Sequence, residues 1–172
     1  MVRAFRQYES RAWGLLHTRR HHEKKIRAYF EHNGLPCYLP TLTKVRSKYH
    51  PSYLPMFPGY LFCAWGEEDH AIVANCPGIA NRIQSQPGCD DDIIRQMEAL
   101  YKIERLSETC DVDLNREPLA QKIKMVTVKC GPLTGSPGYW KEIDGKKYFA
   151  MTLNLMDTAF EVTIDGTSLD AE

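Results

Sequence analysis

Apolar residues recur every second position in some stretches of this chain and every third or fourth in others, and the switches between the two periods mark its elements. Ala12 to Thr18 is predicted as a strand, with Trp13 and Leu15 on one face and Leu16 on the other. Arg19 to His32 follows a helical period: His22, Ile26, Tyr29, Phe30 and Asn33 share one face, and Glu23, Lys24, Arg27 and Glu31 line the opposite, polar one. Asn33-Gly34, with Pro36 beyond, stops this helix. Cys37 to Pro40 reads as a short strand and Thr41 to Tyr53 as a polar, basic excursion. Pro58-Gly59 then makes a rigid corner that could not sit in mid-strand, so the next strand starts at Tyr60. In that strand Tyr60, Phe62 and Ala64 face one way and Leu61, Cys63 and Trp65 the other, so neither face looks fully solvated. A core strand covered on both sides is the commoner cause of this pattern; one face packed on helices with the other open to a partner is the alternative.

Glu67-Glu68-Asp69 opens a short helix containing Ile72 and Val73, with an acidic first turn that suits the helix dipole, and Pro77-Gly78 ends it. Ile79 to Ile83 is a further strand. Asp90 is a good N-cap for a third helix, whose Ile93, Ile94, Met97, Leu100 and Tyr101 form one apolar stripe running to about Leu106. The period then dissolves into a polar stretch read as a linker. From Met125 the chain turns to alternation and turn signals: Val126 to Cys130, Tyr139 to Ile143, Lys147 to Leu153 and Ala159 to Ile164 as strands, with Asp144-Gly145 as a hairpin. Four or five short strands and no helix in some fifty residues fit a small closed barrel. The fold class is therefore α+β, divided into an N-terminal domain at 1–107, a linker at 108–120 and a C-terminal barrel at 121–172.

The composition is ordinary for a soluble chain, 43% hydrophobic and 26% charged in 172 residues. No membrane-spanning run or signal core is visible, and a cytoplasmic location is expected. The net charge of zero conceals a partition: residues 1–58 hold 11 Lys+Arg against 3 Asp+Glu, residues 59–117 hold 5 against 12, and residues 118–172 hold 6 against 7. A basic first third suggests a surface near phosphates, unless the basic and acidic segments simply face each other. The six cysteines are scattered without a Cys-x-x-Cys pair, several in apolar runs, which makes a disulfide framework or a zinc site an unattractive reading.

Enzymatic readings fail on spacing. His22-Glu23 resembles the start of a zincin helix, but Ile26 stands where the second histidine must be. His17, His21 and His22 straddle a junction with no cysteine or carboxylate cluster nearby, and Asp90-Asp91-Asp92 is better explained as a helix start than as a magnesium site. The glycine-rich segment 131–138 lacks the Gly-Lys-Ser/Thr of a phosphate loop. No catalytic residue, metal or cofactor is expected.

Trp13-x-Leu15, His22-Glu23-Lys24, Asn33-Gly34, Tyr38-Leu39-Pro40, Phe57-Pro58-Gly59-Tyr60-Leu61-Phe62 and Pro77-Gly78-Ile79 stand in the order and spacing of the N-terminal domain of NusG-type transcription factors. The segment Val126-x-Val128-x-x-Gly131-Pro132-Leu133-x-Gly135-x-x-Gly138, with Asn154-Leu155-Met156 and Phe160-x-Val162 after it, resembles their KOW domain. The resemblance runs from Trp13 to Leu169. It implies an α/β N-terminal domain, a sheet flanked by helices, joined to an SH3-like KOW barrel. It further implies a monomeric, non-enzymatic elongation or antitermination factor that binds the clamp helices of RNA polymerase through its first domain. Through the barrel it would recruit Rho or a small-subunit ribosomal protein. The basic excursion Lys44-Val45-Arg46-Ser47-Lys48, the irregular linker and Tyr139-Trp140 depart from the housekeeping pattern and lean toward an operon-specific paralogue. A general RNA-binding or ribosome-associated KOW protein is the alternative.

On this basis Tyr53, Leu54, Phe57, Tyr60 and Phe62 are the expected polymerase-binding residues, although some of the aromatic residues around the corner must be core instead. Two basic groups, Arg19, Arg20, Lys24 and Lys25, and Lys44, Arg46 and Lys48, are the expected contacts to upstream or non-template DNA; a solvated loop is the plain alternative.

Overall fold

Strand β1 (Ala12–Thr18) lies inside a four-stranded sheet, bonded on one side to β5 (Tyr60–Trp65) and on the other to β6 (Ile79–Gln84), both antiparallel. The short β2 (Cys37–Tyr38) pairs with the outer side of β5, giving the order β2-β5-β1-β6. The computed structural model that shows this describes residues 5, 10–44, 52–84, 90–109, 112–115, 126–129, 133–135, 137–155 and 158–165. Its contacts divide the chain into two compact units, 1–41 with 55–98, and 42–54 with 99–172. Among the described residues no helix is long and apolar enough to cross a membrane.

In the first unit, helix α1 (Glu23–His32) packs Ile26 and Phe30 against Leu16 of β1 and against Leu61, Cys63 and Trp65, the odd-numbered face of β5. The alternation in the sequence therefore becomes a layered core, and each large side chain so buried contributes roughly 1.5–3 kcal/mol. Helix α1 begins later than its periodicity suggests, at Glu23, because His21 adopts the left-handed conformation (φ 63°) and ends any helix on its N-terminal side. At its other end the Asn33 N–H donates to carbonyls of the last turn. A 3-10 turn at Glu67–Asp69 leads into α2 (His70–Asn75), whose Val73 joins the same core. Asp69 is buried and bidentate with Arg11, at 2.7 and 2.9 Å, and also accepts from the Gly66 N–H; the Arg11 guanidinium foremost holds its carboxyl below the usual range.

Helix α3 (Asp91–Leu106) buries Ile94, Met97, Leu100, Ile103 and Leu106, close to the predicted stripe. Its predicted cap residue does something further: the Asp90 carboxylate is buried and accepts the Trp13 backbone N–H at 3.1 Å, which ties the start of the helix to β1.

In the second unit, β3 (Thr41–Lys44) and β4 (Ser52–Pro55) make a two-stranded sheet out of the predicted excursion. Thr43 donates its N–H to Ser107 Oγ at 3.0 Å, just past the end of α3. The remaining strands, β7 (Val112–Asn115), β8 (Val126–Thr127), β9 (Pro137–Ile143), β10 (Lys146–Leu155) and β11 (Thr158–Asp165), form an antiparallel sheet in the order β7-β11-β10-β9-β8. Asp144 and Gly145 both have positive φ and join β9 to β10 as a two-residue hairpin, as their sequence predicts. Within the stretch expected as a linker, β7 pairs with β11, so part of it is sheet edge. The strands expected of a barrel are present, but among the described residues no pairing joins β7 to β8 and the ladder is that of a sheet.

The core of this sheet holds Val128, Leu133, Phe149, Val162 and Ile164. Its other face carries a polar network, with Glu161 only 1% exposed. Lys141 Nζ lies 2.8 Å from Glu161 Oε1, and the Tyr139 hydroxyl donates to Oε2.

Candidate functional site

The Pro58-Gly59 corner is held from two sides. Gly59 has φ 90°, a conformation that disfavours any side chain, and its carbonyl accepts the Thr18 N–H at 2.7 Å where β1 ends. Its own N–H donates to Glu23 Oε1 at 2.6 Å. Glu23 is therefore buried, whereas periodicity puts it on the polar face of α1. The amphipathic pattern missed it because a first-turn carboxylate is equally suited to the helix dipole when solvated; a buried N–H awaiting an acceptor leaves no trace in sequence. Glu23→Ala is expected to destabilise the protein by about 1–3 kcal/mol by orphaning that N–H. Glu23→Gln, which keeps an acceptor, should cost less, and urea unfolding with exchange of the Gly59 amide checks both.

Just past the corner, the face of the sheet turned away from α1 is closed at one end and open at the other. Phe62 opposes Leu15 and Tyr38, and the Tyr38 ring lies 6.2 Å from that of Phe62 and 4.9 Å from that of Phe5, which also meets Trp13 edge-on at 5.7 Å. Phe62 is accordingly 2% exposed. At the open end Tyr60 is half-buried and stacks on the exposed His17 at 5.1 Å. The register continues this face onto β6, opposing His17 with Asn81 and Leu15 with Ile83, which is 49% exposed.

Of the expected polymerase-binding residues, Tyr60 thus belongs to an accessible apolar surface, while Phe57 (4% exposed) and Phe62 are buried. Tyr53 and Leu54, at 52% and 42%, are exposed in the second unit. The sequence weighs His17 only as a metal ligand and gives Asn81 and Ile83 no surface role, although the period-two alternation of β1 already puts His17 on the Trp13 face.

Arg19, Arg20, Lys24 and Lys25 are all exposed around the β1–α1 turn. This turn is well fixed: the Arg19 N–H donates to the Gly78 carbonyl at 2.7 Å, and His22 Nδ1 donates to the Arg20 carbonyl at 3.1 Å. Four cations are therefore presented from a braced backbone, next to the positive end of a helix. The Lys44 side chain, Arg46 and Lys48 lie outside the described residues. Among the described residues, no group of three or more His, Cys, Asp or Glu side chains is arranged to hold a metal ion.

No curated protein matches the chain. A family model, "Transcription termination factor nusG", matches residues 11–98. Among solved structures, the fold is similar to one described as "Domain interaction in Thermotoga maritima NusG", with a TM-score of 0.57 and 20% identity over 93% of this chain and 96% of that one. The "MjSpt4:Spt5 complex conformation A" aligns at 15% identity over 93% and 97% of the two chains, with a TM-score of 0.27. The family model takes in both the Pro58-Gly59 corner and the whole four-stranded sheet, and on that match the chain belongs to the NusG family of transcription factors.

Proposed function

We propose that this protein is a cytoplasmic, non-enzymatic elongation or antitermination factor that binds RNA polymerase through its N-terminal domain. The observation that carries the proposal is one face of the sheet: Tyr60 stacked on the exposed His17, with Ile83 exposed further along the same face, on the family-matched portion of the chain. Partner interfaces concentrate energy in such aromatics. Tyr60 is the primary contact to the clamp helices, and Phe57 and Phe62, which are buried, act through the shape of the surface around it. Tyr53 and Leu54 are separate candidates. Arg19, Arg20, Lys24 and Lys25, together with Lys44, Arg46 and Lys48, contact upstream or non-template DNA.

The division into an N-terminal domain at 1–107, a linker and a C-terminal module at 121–172 closed as an SH3-like KOW barrel is part of this reading. That module recruits Rho or a small-subunit ribosomal protein, and the protein serves particular operons as a monomer.

Affinity for core polymerase and for an assembled elongation complex tests the proposal. Tyr60→Ala is expected to weaken binding to the polymerase by about 30-fold or more, equivalent to about 2 kcal/mol. Alanine at Arg19, Arg20, Lys24 and Lys25 should leave core binding intact but flatten the salt dependence of binding to the elongation complex by roughly one unit per lost phosphate contact. A folded Tyr60→Ala protein with unchanged affinity would remove the surface assignment, and one that binds ribosomes but no polymerase would point to the RNA-associated alternative.

A further inference from the structure

We infer that Cys37 and Cys63 are an oxidisable pair, which a disulfide reagent of the glutathione class converts into a covalent bridge between β2 and β5. The two cysteines are directly opposed in the antiparallel register. The Ala64 N–H donates to the Pro36 carbonyl at 2.9 Å, and residues 36 and 64 are the next opposed pair, so theirs is a hydrogen-bonded site. Sites alternate along such a ladder, which makes 37/63 a non-hydrogen-bonded pair, the kind whose Cα atoms approach to about 4.5 Å. That separation is within the range a disulfide spans, roughly 4.4–6.8 Å.

Both side chains project to the α1 side of the sheet, where Cys63 is part of the core and Cys37 packs against it. Cys37 Sγ reaches the Arg27 carbonyl at 3.7 Å and Cys63 Sγ that of Ala64 at 3.8 Å, both long contacts of a weak donor.

Exposure orders the chemistry. Cys37 is half-buried and Cys63 fully buried, so a reagent meets Cys37 first. The Cys37 thiolate attacks the reagent's S–S bond, forming a mixed disulfide and releasing one thiolate. The Cys63 sulfur then displaces the second thiol, its proton passing to the departing sulfur; two protein thiols are oxidised and the reagent is reduced to two thiols. Burial, and after it the neighbouring Cys37, pushes the Cys63 thiol up, which leaves Cys37 as the thiol that opens the exchange. Nothing in the sequence signals the pair, because its members belong to strands separated by β3, β4 and the Pro58-Gly59 corner. The bridge would close all of that stretch into one loop and restrict the unfolded chain.

The test uses the full, reduced chain treated with oxidised glutathione. Peptide mapping should find a Cys37–Cys63 crosslink, with the thermal midpoint raised by about 5–10 °C and restored by dithiothreitol. Cys37→Ser, at a half-exposed position, should abolish the crosslink and the shift, whereas Cys76→Ser, altering the third thiol of this core, should preserve both. A stable glutathione adduct on Cys37, a bridge from either residue to Cys76, or full retention of both thiols would overturn the inference.

Discussion

Trp65→Ala is expected to destabilise the first unit by about 3–5 kcal/mol, a large share of the roughly 5–15 kcal/mol that holds a typical domain together. Trp65 is fully buried at the end of β5, in the core shared with Leu16, Phe30 and Val73, and truncation leaves a cavity that sheet and helix cannot both close. Its ring also explains Gly14 on the neighbouring strand. A Cβ at Gly14 would stand 2.6 Å from Trp65 Cη2 and 2.6 Å from the Ile83 carbonyl oxygen. Gly14→Ala should therefore be destabilising as well, and the two effects should not add. Removing the indole relieves one of the two overlaps, but the Ile83 carbonyl, held on the strand that pairs with β1, remains. A urea-unfolding cycle of both single variants and the double variant measures this. Full additivity would show that the ring and the glycine are not in contact, and a Trp65→Ala penalty below 1 kcal/mol would show that the core closes around the loss.

Lys141→Met carries the second large effect, about 3–5 kcal/mol at neutral pH, because it leaves the Glu161 carboxylate buried without its cation. The pH dependence separates this cause from lost packing. Burial alone would raise the Glu161 carboxyl, but the hydrogen bonds from Lys141 and Tyr139 outweigh it and hold the group below its ordinary value. A carboxyl depressed in the folded state contributes stability above its unfolded value, about 4.3, and that contribution disappears as pH falls through the folded value. The wild type should lose stability on acidification, and the Lys141→Met penalty should shrink as Glu161 takes up a proton. Tyr139 has the opposite sense: burial first, then the Glu161 carboxylate, push its hydroxyl up to about 12, so its contribution is complete below the ordinary tyrosine value and lost as pH rises through about 12. Unfolding followed between pH 3 and 7 tests the central claim; a penalty that does not change with pH would mean that Glu161 is neutral or solvated.

Elements set by stiff or permissive residues are legible in the sequence. Pro58-Gly59 placed the start of β5 at Tyr60, and Asp144-Gly145 placed the β9–β10 hairpin, because few backbone conformations suit those residues. What alternation could not decide was which apolar face of β5 stays open. The answer depends on Phe5 and Tyr38 closing over Phe62 while Tyr60 stacks on the exposed His17, and those neighbours come from distant parts of the chain. Val112 to Asn115 reads as linker because an aspartate and an asparagine among its four residues mask a short edge strand, where polar side chains are well tolerated. Glu23 read as solvated for a related reason: its partner is a backbone N–H, and backbone groups have no sequence signature.

The place of β1 between β5 and β6 has a consequence for synthesis on the ribosome. The two strands that satisfy β1 are encoded well downstream of it, and translation at about 5–20 residues per second leaves its Trp13, Leu15 and Leu16 unpaired for several seconds. β9, β10 and β11, in contrast, follow one another as neighbouring hairpins and pair as soon as each emerges. The nascent first unit is thus the more exposed to chaperones and to wrong partners, and it becomes secure only when β6 has left the exit tunnel.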